Sequence, residues 1–145
     1  MELLNCDTPV GFEITGSLKT ITQERVYSFS GGFPRTDDWP NKNIHTDSEF
    51  AKNCGLSDRA ASGAMFEGYL IELMIDCFGE LWLKTGKLDL KFIHVVTPGD
   101  TLFPKAIVQS KMAQGATFKL VMDIWCENQH GEQVVIGTAS GIINS

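Results

Sequence analysis

The 145-residue chain has little that marks a metal, redox or polyanion-binding protein. Its four cysteines, Cys6, Cys54, Cys77 and Cys126, lie far apart and form no CxxC pair. Zinc or thioredoxin-type chemistry therefore has no support, and free, mostly buried thiols in a reducing cytoplasm are the expectation. No basic cluster runs along the chain, where 12 Lys and Arg stand against 18 Asp and Glu for a net charge of −6. Phosphate-backbone binding needs such clusters, so neither a nucleic acid nor an anionic membrane surface is expected as a partner. A local basic pocket for a small anion stays open. The opening residues Met-Glu-Leu-Leu-Asn-Cys-Asp lack the basic and apolar regions of a secretory leader. No window approaches the length of apolar sequence that spans a bilayer. A cytoplasmic location is the expectation.

Internal repeats, low-complexity tracts and linkers are also missing, so one domain over residues 1–145 is expected. Hydrophobic residues make up 43% and charged residues 21%, ordinary globular values. A chain of this size removes roughly 68–70% of its unfolded surface from water, enough for a core without staples.

Residues 1–30 read as short strand-type stretches, 31–61 as a Gly-, Pro-, Asp- and Asn-rich region, and 62–145 as one strong helix followed by strands. The helix is expected from near Ser62 to near Gly79 or Leu81. The Ser62 hydroxyl suits an N-cap, and Met65, Phe66, Leu70, Leu73, Met74 and Cys77 recur on one face. Glu72, Asp76 and Glu80 form an acidic stripe off that face and read as solvated. A shorter helix is expected over Asp47–Cys54, capped by Thr46 or Asp47 and closed by Gly55.

Leu88, Leu90, Phe92, His94 and Val96 alternate as a strand, and Pro98-Gly99-Asp100 makes a turn. Thr101 to Met112 follows as a second strand. Phe118 to Cys126 shows a period of two, Asn128 to Gly131 a hairpin turn, and Gln133 to Ile143 a returning strand. Consecutive strands with short turns imply an antiparallel sheet. With one long apolar helix, this is an α+β layer architecture in which the sheet wraps the helix.

Chemistry concentrates in Thr36-Asp37-Asp38-Trp39-Pro40-Asn41-Lys42-Asn43-Ile44-His45-Thr46-Asp47. Turn-rich polar loops of this kind position catalytic groups. An Asp and a His close together can act as an acid–base pair, because the imidazole titrates near neutrality. His45-Thr46-Asp47 shows no third ligand, so no metal is expected. His94 reads as a satisfied core residue and His130 as a solvated turn residue. Trp82 and Trp125 read as packing or interface residues, and Arg59, Lys42 and Lys105 as lone surface charges.

Residues 36–103 resemble the MaoC-like (R)-specific enoyl-CoA hydratase family. The resemblance is carried by Asp38-Trp39, Asn43-Ile44-His45-Thr46-Asp47, Glu49-Phe50-Ala51, Ser62-Gly63-Ala64-Met65 and Pro98-Gly99-Asp100, in the family's order. It implies a hotdog fold, an antiparallel sheet around one long central helix. It also implies a hydro-lyase that interconverts trans-2-enoyl and 3-hydroxyacyl thioesters of CoA or an acyl-carrier protein, without a cofactor. By the resemblance, Asp38 and His45 share the catalytic roles, and Trp39, Asn43, Ser62, Gly63 and Ala64 bind substrate. The start of the long helix would polarise the thioester carbonyl, since its first N–H groups lack partners. A homodimer or higher homo-oligomer with sheets joined edge to edge is implied as well.

One feature departs from the pattern. The family places its acid five residues before the histidine, where this chain has Pro40, and Asp38 lies seven before. Either an insertion returns Asp38 to the site, or Asp37 replaces it, or the acid is lost. Two alternatives follow: a dehydratase-like enzyme of secondary metabolism acting on a different substrate, or a non-catalytic acyl-thioester-binding module.

Overall fold

A computed structural model describes residues 3–144. In chain order the elements are β1 (Glu13–Thr15), β2 (Lys19–Thr20), α1 (Gln23–Ser30), α2 (Ser48–Asn53), α3 (Gly63–Phe78), a 3-10 turn (Gly79–Leu81), α4 (Trp82–Thr85), β3 (Lys87–Phe92), β4 (Thr101–Gln114), β5 (Thr117–Glu127) and β6 (Gln133–Asn144). The antiparallel sheet runs β1-β4-β5-β6-β3, and β2 also pairs with β4.

The long helix is driven by its apolar face. Met65, Phe66, Leu70, Leu73, Met74, Cys77 and Phe78 are all buried along α3. The strands meet this face with alternate residues, as their period of two requires. Leu102, Ala106 and Val108 of β4, Leu120, Met122, Ile124 and Cys126 of β5, and Val135, Ala139 and Ile143 of β6 join the same core. At Gly141 of β6 the helical layer packs closely on the sheet. A Cβ there would lie 2.8 Å from the Phe78 ring and 2.9 Å from the Trp82 indole. The acidic stripe is solvated, with Glu72, Asp76 and Glu80 all exposed.

Four expectations need correction. Residues 23–30 form a helix, not a strand: the Thr22 hydroxyl caps it by accepting from Arg25 N at 3.2 Å, and Val26 is its one buried residue. Ser62 occupies the cap position of α3, but its hydroxyl makes no capping bond. The strand expected to reach Val96 stops at Phe92, because Ile93 N and His94 N both turn onto the Val134 carbonyl and end the ladder. His94 is consequently exposed, not a core residue. Of the thiols, Cys77 and Cys126 are buried, with burial pushing each up to about 12. Cys54 is exposed and Cys6 half-buried.

The Pro98-Gly99-Asp100 turn ties three parts of the chain together. Gly99 adopts φ 104°, a region L side chains rarely enter, and donates to Ile21 O at 2.7 Å. One Asp100 oxygen accepts from Thr97 N at 2.8 Å, and the other accepts from Gln129 Nε2 at 2.7 Å. Partial burial opposes ionisation of Asp100, but the bonds from Gln129 and Thr97 prevail and hold its carboxyl below the usual aspartate range.

Two measurements check these points. Gly141→Ala should lower unfolding free energy by about 1–3 kcal/mol in urea titration, the usual cost of overpacking. Asp100→Asn should cost about 1 kcal/mol at neutral pH. Since the folded carboxyl is the stronger acid, its contribution is complete above the unfolded pKa and fades as pH falls through the folded one. The stability difference between wild type and Asp100→Asn should therefore shrink on acidification; a difference that grows would contradict the assignment.

Candidate active site

His45 is held at a junction between three segments. Its backbone N–H donates to Asn43 Oδ1 at 2.8 Å, closing a tight polar turn. The Thr46 side chain is buried beneath this turn, accepting from Asn43 N at 3.1 Å and donating to Asn41 O at 2.6 Å. Asp47 then caps α2 by accepting from Phe50 N at 2.7 Å.

The histidine loop is fastened to the segment that leads into α3. Ala60 N donates to Ile44 O at 3.1 Å, and His45 Nδ1 lies 2.5 Å from Ala60 O. A carbonyl oxygen only accepts, so Nδ1 carries the hydrogen. In the neutral ring Nε2 then keeps its lone pair and is the basic nitrogen. Among the described residues no hydrogen bond engages Nε2.

Three residues beyond Ala60, α3 begins. Met65 N donates back to Ser62 O at 3.0 Å. The Gly63 and Ala64 N–H groups have no protein partner among the described residues, as expected of a first helical turn without a side-chain cap. Their positive end of the helix dipole favours developing negative charge. Gly63 is in close contact with an aromatic ring: a Cβ there would lie 2.9 Å from Cε1 of Phe92. Phe92 is 48% exposed and tilts against Phe66 at 6.4 Å.

The remaining residues expected in the site separate from His45 to different degrees. Asn43 stays beside it but braces the loop, with Nδ2 donating to Ser30 O at 2.8 Å and to Asn41 O at 3.2 Å. Trp39 packs inward, edge-on to Tyr27 at 6.2 Å and over Gly31. Asp38 and Asp37 are both exposed, and among the described residues no hydrogen bond or ion pair joins either to His45. The cause is a loop. Asn41 N donates to Gly31 O at 2.8 Å, which closes residues 32–40 into an excursion that carries both acids outward.

Two contributors were not anticipated from sequence. Ala60 supplies a backbone carbonyl, which leaves no mark in a side-chain pattern. Gln23, the first residue of α1, donates through Nε2 to His45 O at 3.4 Å. It lay in a segment expected to be strand. Among the described residues, no cluster of His, Cys, Asp or Glu could hold a metal ion. None of their helices is long and apolar enough to cross a membrane.

Comparison with known proteins bears on this arrangement. No curated protein matches the chain in sequence. Among solved structures, the MaoC-like dehydratase from Rhodospirillum rubrum superposes with TM-score 0.77 at 20% identity, covering 95% of this chain and 94% of that one. The (R)-hydratase from A. caviae involved in PHA biosynthesis gives 0.71 at 17%, covering 97% and 100%. The HadBC (3R-hydroxyacyl-ACP dehydratase) complex from Mycobacterium tuberculosis gives 0.62 at 14%, covering 92% and 96%. At these identities the likeness establishes the fold, which is the hotdog fold anticipated from the motifs. The family model described as MaoC like domain matches residues 38–123, more than half of the sequence and including His45 and the start of α3; the chain belongs to the MaoC-like domain family.

Proposed function

We propose that the protein is an acyl-thioester hydratase or dehydratase, interconverting a trans-2-enoyl and a 3-hydroxyacyl thioester of CoA or an acyl-carrier protein, with His45 as its acid–base group. The observation that carries this is the Nδ1–Ala60 bond, which leaves Nε2 as the free base beside the leader of α3. In hydration, Nε2 takes a proton from water as the oxygen bonds to C3. The π electrons move toward the thioester carbonyl, and the proton is then delivered to C2. Charge building on the carbonyl oxygen meets the Gly63 and Ala64 N–H groups, the kind of donor whose loss costs on the order of 10²–10³ in rate. Family membership supports the reaction class.

A second reading is favoured by the exposed Asp38 and Asp37. Without a carboxylate at the imidazole, the chain would be a binding module for acyl thioesters. Turnover separates the two. Purified protein should convert a short trans-2-enoyl-CoA to its 3-hydroxy product, and His45→Ala should lose at least about 10²-fold in kcat/KM. Asp38→Asn and Asp37→Asn should each stay within about 2-fold, since neither acid touches the base; a loss near that of His45→Ala would return that acid to the mechanism. Tight acyl-CoA binding with no turnover would favour the module.

We also propose a homodimer joined along β3. Strand β3 is a free sheet edge, and the residues at its end are apolar and exposed: Phe92 at 48%, Ile93 at 38% and Val95 at 58%. Covering such an edge removes an aggregation hazard. Sedimentation should report twice the 16.0 kDa chain mass, and Val95→Lys should shift the protein toward the single chain.

A further inference from the structure

A cleft of about 520 Å³ lies between α1 and α3. Both of its walls begin next to the candidate site. On the α1 side the wall starts at Glu24, whose neighbour Gln23 donates to the His45 carbonyl at 3.4 Å. On the α3 side it starts at Met65 in the first turn, two residues past Gly63. Tyr69 lies one turn further along the same helix face. Lys19 of β2 lies beyond it, since it pairs with Glu72. The cleft therefore runs from the head of α3 along the helix. Met65 and the Tyr69 ring give it an apolar wall, and Phe29 of α1, 54% exposed, adds another.

The charged groups along this cleft are not equivalent. Lys19 is taken up by Glu72 at 2.5 Å and by the Tyr69 ring, 5.5 Å from its centroid. Glu24 turns back on the start of α1, where bonds from its own N–H and the Thr22 hydroxyl hold its carboxyl below the usual glutamate range. Arg25 uses Nη1 on Thr20 O at 2.7 Å. Among the described residues, no hydrogen bond or ion pair engages Nη2 or Nε of Arg25, or the hydroxyls of Ser28 and Tyr69. Three donor groups, one of them a permanent cation, thus line an apolar-walled cleft. A chain of methylenes ending in a carboxylate matches both features, covering the apolar walls and engaging the donors.

Helix geometry sets the length of that chain. Six residues separate Gly63 from Tyr69, an advance of about 9 Å along the helix axis. Resting on the reading of His45 and the α3 amides as a hydratase site, we propose that this cleft takes the acyl tail, and that the preferred substrate is the mono-thioester of an unsaturated dicarboxylic acid of about eight carbons, its free carboxylate held by Arg25, Ser28 and Tyr69. A phosphate of CoA offers the same anionic chemistry, so the test uses two esters that carry the identical CoA.

Those esters are trans-2-octenoyl-CoA and the mono-CoA thioester of trans-2-octenedioic acid, assayed on the full chain. kcat/KM should be at least about 10-fold higher for the carboxylated ester, the advantage of bonding a charged group to donors the neutral tail leaves unpaired. Arg25→Gln should erase that preference, lowering the carboxylated ester at least about 10-fold while the neutral ester stays within about 2-fold. The neutral ester thereby reports any damage to the fold or to the catalytic groups. If Arg25→Gln does not fold, Tyr69→Phe replaces it, because it removes only a hydroxyl, and it should lower the carboxylated ester alone. Wild-type rates that are equal or favour the neutral ester would overturn the proposal. So would an unchanged carboxylated rate in the variant used, or an equal loss on both esters, which would put a CoA phosphate at Arg25 instead. If neither ester turns over, the hydratase reading fails by itself. Calorimetric binding of octanoyl-CoA and octanedioyl mono-CoA then decides the cleft: tighter binding of the carboxylated ester supports it, and equal or weaker binding overturns it.

Discussion

Burial of α3 is the constraint from which the rest of the molecule follows. Its 16 residues carry seven buried apolar side chains, more than an exposed helix tolerates. A sheet curling around it supplies the matching surface through alternate residues of β4, β5 and β6. Once the helix is fixed this way, its N-terminus is fixed too. The segment just before it is pinned on two sides, by Ala61 N donating to Val96 O at 2.7 Å and by the bonds between Ala60 and the Ile44–His45 pair. His45 and the helix's unpaired amides thereby share one support, the kind of shared anchoring that electrostatic preorganisation requires.

How much of this was legible depends on whether burial coincides with a simple period. Helix α3 and strands β4 and β5 are legible because each presents its buried residues at one regular spacing, and β6 keeps that spacing apart from the adjacent buried pair Val134 and Val135. The short helix α2 is legible for a local reason: Asp47 is the cap and accepts from Phe50 N. Helix α1 is not, because Val26 alone is buried in eight residues and no apolar face exists to find. The end of β3 is equally hidden. It is set by two amides converging on one carbonyl across the sheet, and nothing in Ile93 or His94 announces that.

The site divides along the same line. His45, Ser62, Gly63 and Ala64 belong to motifs with a local geometric job, a polar turn or a helix start, and the fold brings the histidine loop to the leader of that helix. Asn43 also has such a job: its side chain binds Ser30, Asn41 and His45 together. The acid is different. Counting along the chain places Asp38 only seven residues from His45, yet chain distance is a poor guide when a loop closes between them.

That closure explains why the aspartates stand apart. Gly31 O and Asn41 N meet at 2.8 Å, so the path from α1 to His45 is continuous across the base of the loop. Next to that base, Gly32 sits at φ 81°, and a Cβ there would lie 2.5 Å from Asn41 Nδ2. The Asn41 amide fills the space that a side chain at position 32 would take. Inside the loop, Trp39 packs on Tyr27 and over Gly31, anchoring the loop through its indole and leaving Asp38 and Asp37 outside. On the other side of that closure, Gln23 at the start of α1 donates to the His45 carbonyl at 3.4 Å, so the histidine loop is braced from α1 as well as from the segment before α3, and its position does not depend on where the acids lie.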